Sequence, residues 1–241
     1  MDDRYSRQIS LPQIGPEGQQ KLGTGSVIVV GAGGLGSPAL TYLVAAGVGR
    51  VGIVDADTVS RSNLNRQFLY GDADVGRPKA VAARERLAEL NSDVEIVVYE
   101  SLLTDDNAET LFAGYNLVLG AVDSFDTRAV INRAAVALRI PYVDGGVNGF
   151  NGCVMLSHPP QTPCLNCVFP NSSPKKRPTG VLGAIAGVVG AMEANLALLW
   201  LLGQHDAAQH RLFLYDGLRM RIDHIEIKHD KGCTVCAGGA I

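Results

Sequence analysis

The sequence predicts an α/β fold: a doubly wound, Rossmann-like, mostly parallel sheet with a late antiparallel part. Three observations predict it. Short apolar runs alternate with helical stretches through the first 144 residues. A glycine-rich turn, Gly31-Ala32-Gly33-Gly34-Leu35-Gly36, separates the first such run from the first helical stretch. After Asp144 the chain changes character, becoming glycine-punctuated and strand-like. Alternating strands and helices are what a parallel sheet covered on both faces requires.

In order, strands are expected over Ser26–Val30, Val51–Asp55, Glu95–Tyr99, Asn116–Gly120 and Tyr142–Asp144. Helices are expected near Ser37–Ala46, Lys79–Leu90, Asp106–Phe112 and Thr127–Leu138. Pro38 suits an early helix position, and Ser37 beside it reads as an N-cap rather than a nucleophile. Beyond Asp144, the glycines at 145, 146, 149 and 152 precede a strand over Cys153–Ser157. Pro159–Pro178, rich in Pro, Ser and Asn, reads as an extended, mobile connection. An apolar helix within Val181–Leu202 follows, then strands over Leu212–Asp216 and Arg221–Ile227 with Gly217 in their turn. With no internal repeat, residues 1–241 form one domain, divided into halves 1–144 and 145–241.

At 241 residues with 46% hydrophobic and 19% charged side chains, the chain has the composition of a globular protein with a real core. A net charge of −3 gives no reason to expect a nucleic-acid or membrane-surface binder. The one dense basic run, Lys175-Lys176-Arg177, reads as a solvated loop. The charged N-terminus lacks an apolar h-region, so no secretory signal is expected and a cytoplasmic location is. Val181–Leu202 has the length of a membrane span, but Glu193 and Asn195 interrupt it. Gly183, Gly187 and Gly190 suit close helix packing, so it reads as a buried or interface helix.

Gly31-x-Gly33-x-x-Gly36 lies between a strand and a helix, the context in which such glycines bind a nucleotide. Without side chains the backbone approaches phosphate closely, and the helix start offers unpaired N–H groups to an anion. Asp55, 19 residues after Gly36, is placed to accept bonds from ribose hydroxyls. These features fit NAD, FAD or ATP equally. Asp57 and Asn63 read equally as a loop carboxylate and a turn former, or as ligand contacts. Arg66 and Lys79, ordinary surface residues by type, both follow the second strand near the bound phosphates. Cations there neutralise β- and γ-phosphates and support a pyrophosphate leaving group. Asp123, after the fourth strand, is placed to hold Mg²⁺ with the phosphates.

The blocks Arg4-Tyr5-Ser6-Arg7-Gln8, Gly31–Gly36, Asp55-Ala56-Asp57, Ser62-Asn63-Leu64-Asn65-Arg66-Gln67, Gly76-Arg77-Pro78-Lys79 and Asp123-Ser124 span nearly the whole chain. With the cysteine pairs, they resemble the MoeB/ThiF/HesA family of ubiquitin-activating-like adenylyltransferases. The resemblance implies Mg·ATP binding and adenylation of the C-terminal glycine carboxylate of a small β-grasp carrier ending in Gly-Gly, with release of pyrophosphate. It implies Asp55 on the ribose, Asn63, Arg66 and Lys79 on the phosphates, and Asp123 beside the metal. It also implies that Arg7 reaches into the nucleotide site of a second copy, hence a homodimer.

Cys164-x-x-Cys167 and Cys233-x-x-Cys236 read as the four ligands of a structural Zn²⁺ site. Disulfides are disfavoured without an export signal. A redox role is disfavoured because neither pair opens a helix after a strand. The matching family site supports zinc. Cys153, in a strand, reads as a small buried hydrophobe. Related proteins carry a reactive cysteine in a crossover loop, here about residues 168–180. Residues 171–179 contain none, and Lys176 falls near its place, so adenylation without a loop cysteine is expected. No histidine is assigned a role, and Gly238-Gly239 reads as a flexible terminus. An NAD-dependent oxidoreductase leaves Arg66, Lys79 and the cysteines unexplained. A non-catalytic scaffold leaves the intact site unexplained, and a tRNA-modifying dehydratase suits neither the charge nor the cysteines. The pathway that the carrier serves is not encoded in these features.

Overall fold

In the computed structural model, which describes residues 3–170 and 180–237, eight strands form a single sheet. They are β1 (Ser26–Val30), β2 (Arg50–Val54), β3 (Glu95–Tyr99), β4 (Leu117–Gly120), β5 (Tyr142–Asn148), β6 (Asn151–Ser157), β7 (Arg211–Asp216) and β8 (Arg221–Glu226). Their spatial order is β3-β2-β1-β4-β5-β6-β7-β8. The first five are parallel; β5 to β8 pair antiparallel through successive neighbours. The chain therefore winds outward from β1 to β3, then returns to the other side of β1 with β4. That reversal opens the crevice where ligands bind in open α/β sheets.

The α-helices among the described residues are α1 (Ser6–Ile9), α2 (Gly15–Thr24), α3 (Gly36–Ala45), α4 (Lys79–Leu90), α5 (Asp105–Phe112), α6 (Phe125–Leu138), α7 (Leu165–Val168) and α8 (Gly183–Leu202). β1 shows why the sheet is covered on both sides. Val27 and Val29 enter one apolar cluster with residues of α3, α4 and α8, while Ile28 and Val30 enter another with α5 and α6. Successive side chains on a strand face opposite ways, so covering both faces demands a continuous apolar run. Each such fully buried aliphatic side chain contributes about 1.5–3 kcal/mol.

Among the described residues, only α8 is long and apolar enough to cross a membrane. Its composition is explained by packing: α8 lies on α3, β5 and β6, and Glu193 in its middle is fully buried. Two of its glycines allow the approach. A Cβ at Gly190 would run into the Leu35 carbonyl oxygen, and one at Gly183 would sit 2.5 Å from that of Asn65. Gly187 faces open space, so it does not serve close packing as expected.

The expected elements recur with shifts at their ends; β2 stops at Val54, for example, leaving Asp55 just beyond it. Three differences are larger. First, α1 and α2 were not expected; α2 is anchored by the buried Gly18 and Leu22, the former against Leu202. Second, Leu165–Val168 forms a helical turn inside the expected extended connection, with Cys164 at its N-cap position and Leu165 N–H donating to Asn132 Oδ1 at 2.9 Å. The first cysteine pair therefore does open a helical turn. Third, Ser37 is not the N-cap of α3: Leu35 occupies that position, and Ser37 is fully buried one residue inside the helix. The Lys175-Lys176-Arg177 run, most of the crossover connection and Gly238-Gly239 lie outside the described residues.

Candidate functional site

The C-terminal ends of β1, β2 and β4 are level, because Val30 pairs with both Val54 and Gly120. Three segments therefore meet at one edge: the glycine loop after β1, Asp55 after β2, and Ala121 to Ser124 after β4. Gly31 adopts φ +95°, and a Cβ there would lie 2.5 Å from the Ala121 carbonyl oxygen. A Cβ at Gly36 would strike the carbonyl oxygen of Gly31. Both positions are closed to other residues. Gly33 and Gly34 are partly open, between the buried Ala32 and Leu35. Among the described residues nothing accepts the N–H groups of Gly33 or Gly34. The loop thus presents two unpaired N–H groups at the start of α3, an arrangement that suits an anion.

Asp55 sets the shape of that loop. Ala32 N–H donates to Asp55 Oδ2 at 2.7 Å, and Asp57 N–H donates to Oδ1 at 2.8 Å. Burial raises its carboxyl above the usual carboxylate range, opposed by these two N–H groups and by the nearby Lys79 ammonium. From the other side, the Tyr70 hydroxyl donates to the Ala32 carbonyl oxygen at 2.8 Å. Burial and the neighbouring Asp55 push that phenol far above its ordinary value, so it remains a donor.

Lys79 is buried at the start of α4, yet its Nζ reaches the exposed Asp57 Oδ2 at 2.8 Å. Lys79 N–H also donates to the Asp57 carbonyl oxygen at 2.9 Å. The ammonium is therefore held on Asp57, close enough to Asp55 to act on its carboxyl. Arg66 lies on the turn after Arg61–Asn63, its guanidinium donating to Ser62 O at 3.1 Å and Asn65 Oδ1 at 3.0 Å. Its aliphatic stem approaches Gly34. Asn63 shapes that turn: its Oδ1 accepts Ser60 N–H at 3.1 Å, and its carbonyl oxygen accepts the Arg66 and Gln67 N–H groups. Arg77 turns away, held by Asp74 at 2.8 Å and Glu85 at 2.6 Å.

Asp123 is exposed at the same edge, and the Ser124 hydroxyl caps α6 by accepting Thr127 N–H at 3.4 Å. Arg7 is not brought to this site. Its neighbours Tyr5 and Gln8 are held at the far end of α3, where Gln8 donates to Ala46 O at 3.0 Å and Tyr5 OH accepts from Asn91. The 10-residue α3, about 15 Å long, separates that end from the loop.

The structure also groups residues that sequence reasoning missed. On the first turn of α6, Arg128 Nε donates to Asp144 Oδ1 at 2.7 Å and a terminal nitrogen to Oδ2. Tyr142 OH donates to Asp144 at 2.5 Å, and the Arg128 guanidinium lies 4.4 Å from the centre of the Phe125 ring. Glu193 and Cys153 border this pair. Burial, with Asp144 nearby, pushes the Cys153 thiol up to about 11, the behaviour of a packed thiol rather than a nucleophile. Nothing in a linear sequence pairs Arg128 with Asp144; Gln67 at least adjoins Arg66.

The four Sγ atoms of Cys164, Cys167, Cys233 and Cys236 lie within 4.8 Å of one another. Individual separations are 3.8 Å (164–167), 3.6 Å (164–233) and 3.4 Å (167–236), too long for disulfides. A tetrahedron with Zn–S bonds of ~2.3 Å has sulfur atoms ~3.8 Å apart, so the set fits zinc. Burial opposes ionisation of Cys233, but N–H donation from Cys236, Asn166 and Val235 outweighs it and brings the thiol down to about 6.

Fold and loop together place the chain in the doubly wound α/β class, with a glycine turn between its first strand and α3. The chain belongs to the ThiF family, whose model matches residues 5–235. A sulfur carrier protein adenylyltransferase of Thermus thermophilus is 46% identical over 97% of this chain and 90% of its own. The SAMP-activating enzyme E1 of Haloferax volcanii is 40% identical, over 99% and 90%. The adenylyltransferase and sulfurtransferase MOCS3 of Culex quinquefasciatus is 42% identical over 97% of this chain, which spans about half of that relative (55%). Among solved structures, Escherichia coli MccB with ATP superposes with a TM-score of 0.85 at 20% identity, over 98% of this chain and 75% of that one. The enzyme class to which these relatives assign the chain is adenylyltransferase.

Proposed function

We propose that the chain adenylates the C-terminal glycine carboxylate of a small β-grasp carrier with Mg·ATP, releasing pyrophosphate and using no cysteine of the crossover connection. The observation that carries this reading is the convergence of the open glycine loop, Asp55, the Lys79–Asp57 pair and Arg66 at one sheet edge. Gly31, Gly33, Gly34 and Gly36 seat the phosphates, and Asp55 receives the ribose. Asn63, Arg66 and Lys79 hold the phosphate chain, Asp57 positions Lys79, and Asp123 with Ser124 supports Mg²⁺. A hydride-transfer site has no use for this set of cations.

No protein nucleophile is required. A carrier carboxylate, ionised at neutral pH, attacks the α-phosphorus; the new bond is carboxylate oxygen to phosphorus. The bond from that phosphorus to the bridging oxygen breaks, and its electron pair leaves with pyrophosphate. Alignment and stabilisation of that departing charge are the enzyme's task. The substrate of the relative named sulfur carrier protein adenylyltransferase supports the choice of carrier. An edge strand also supports it: β8 ends the sheet, and Leu218, Met220, Ile222 and Ile225 are exposed on or beside it. A β-rich partner docks readily on such an edge.

Residues 1–241 act as one adenylation domain, with 1–144 serving the nucleotide and 145–241 the carrier. Zn²⁺ on the four cysteines would pin the segment of Cys233 and Cys236 to α7. A cytoplasmic homodimer completes the reading, because Arg7 stands far from its own loop and is free to serve a partner's. Carrier-dependent ATP–pyrophosphate exchange tests the assignment. Arg66→Ala and Lys79→Ala are expected to lower it by orders of magnitude; near-normal exchange in both would sink it.

A further inference from the structure

Gln67 carries a feature that neither the turn nor the loop accounts for. Its side chain is almost wholly enclosed, 4% exposed, directly under the glycine loop. Its Nε2 lies 3.5 Å from the point where a Cβ on Gly33 would stand, which places the amide against the open part of the cradle. Its Oε1 is shut off from solvent with no hydrogen-bond partner among the described residues. A buried amide oxygen without a partner is a net cost to the fold, and a methionine or leucine would fill the same space without it; what the amide supplies in return is its donor end, Nε2, set against the loop.

The backbone around Gln67 is held firmly. Its N–H donates to Asn63 O at 3.0 Å, and its carbonyl oxygen accepts Tyr70 N–H at 3.2 Å. Tyr70 in turn grips the Ala32 carbonyl oxygen. The turn carrying Gln67 is thus fastened to the loop from below, and the amide is delivered to Gly33 by a rigid frame. Only the amide itself lacks a protein partner.

We propose that Gln67 is a nucleotide contact: its Nε2 donates to a phosphate oxygen of the group seated on Gly33 and Gly34. This rests on the assignment of the loop to a nucleotide and adds a ligand residue to it. The chemistry favours a phosphate over a nucleoside group. The donor end faces the loop, where the free N–H groups of Gly33 and Gly34 also collect, and several donors converging on one point select an acceptor-only anion. A neutral amide complements Lys79 and Arg66. It orients the phosphate nearest the loop without adding a charge that would hold the product.

Calorimetric binding of ATP and of adenosine to the parent, Gln67→Met and Gln67→Glu proteins, without carrier, tests this. Met keeps the volume and removes the donor; Glu keeps the shape and sets a carboxylate against the phosphate. ATP affinity should fall about tenfold in Gln67→Met, or ~1.4 kcal/mol, and further in Gln67→Glu. Adenosine affinity should stay within about twofold in both, which also shows that the variants are folded. ATP affinity unchanged in both variants overturns the proposal. Equal losses for ATP and adenosine also overturn it, since Gln67 would then act on the loop's shape. A parent protein that does not bind ATP would overturn the nucleotide assignment itself, a result distinguishable from either.

Discussion

Replacing Glu193 by glutamine should stabilise this protein, and increasingly so as pH rises. Glu193 is fully buried on α8, and neither carboxyl oxygen has a partner among the described residues. It packs on Gly145 of β5 and faces Asp144 of the same strand, with Arg128 of α6 beyond; Tyr142 and Cys153 complete the surroundings. Arg128 is committed to Asp144 by two bonds, so an ionised Glu193 would leave this pocket one negative charge in excess. Burial, then Asp144, therefore hold its carboxyl well above 4.5. Above that pH the unfolded chain releases the proton and the folded chain keeps it. Folding must then take up a proton, which costs about 1.4 kcal/mol for each pH unit climbed until the folded form itself ionises. The stability contributed by the raised value is fully present below 4.5 and lost upward through this window. Glutamine has no proton to lose. Urea unfolding of parent and Glu193→Gln at a series of pH values from about 5 upward should give a gap that widens by about 1.4 kcal/mol per unit and then levels off. A gap that stays constant over that range would refute the reasoning.

Three further outcomes are expected from the geometry. Gly31→Ala places a side chain at φ +95° against the Ala121 carbonyl oxygen. A loss of about 2 kcal/mol or more is expected by chemical denaturation, together with loss of ATP binding; full stability would contradict the loop geometry. Elemental analysis should find one zinc per chain. The protein with all four cysteines replaced by serine should lack zinc and unfold more readily; a metal-free parent of unchanged stability would count against the site. If Arg7 works across a dimer, mixing inactive Arg7→Ala with inactive Lys79→Ala should restore about a quarter of parental exchange, because half the dimers are mixed and each holds one intact site. No recovery on mixing would place Arg7 outside the partner's site.

Much of the parallel half was legible because its strands are buried on both faces. Val27–Val30, Val51–Val54 and Leu117–Leu119 read as unbroken apolar runs, and the turns between them carry glycine. The first 24 residues were not legible: α2 contains three glycines and a proline, and its helicity depends on burying Leu22 and on packing Gly18 against Leu202 at the end of α8. The single turn α7 was hidden for a related reason, since its support is Asn132, distant in sequence, and the cysteine cluster. In the candidate site, the glycines, Asp55, Arg66 and Lys79 announce themselves by spacing after strands. Ser37 misled because the helix begins at Gly36, two residues earlier than an N-cap at Ser37 would start it. Tyr70, Arg128 and Asp144 gave no signal, and Glu193 showed only as an interruption of an apolar helix, since a buried polar side chain acquires its role only from partners that tertiary structure supplies.

The central claim is tested most directly by incubating the protein with Mg·ATP and several carriers ending in Gly-Gly, then measuring each carrier's intact mass. At least one carrier should gain the mass of an adenylate on its C-terminus, matched by pyrophosphate release, and Lys79→Ala should abolish both. ATP consumed without a carrier adenylate, or no nucleotide-dependent change with any carrier, would contradict the account.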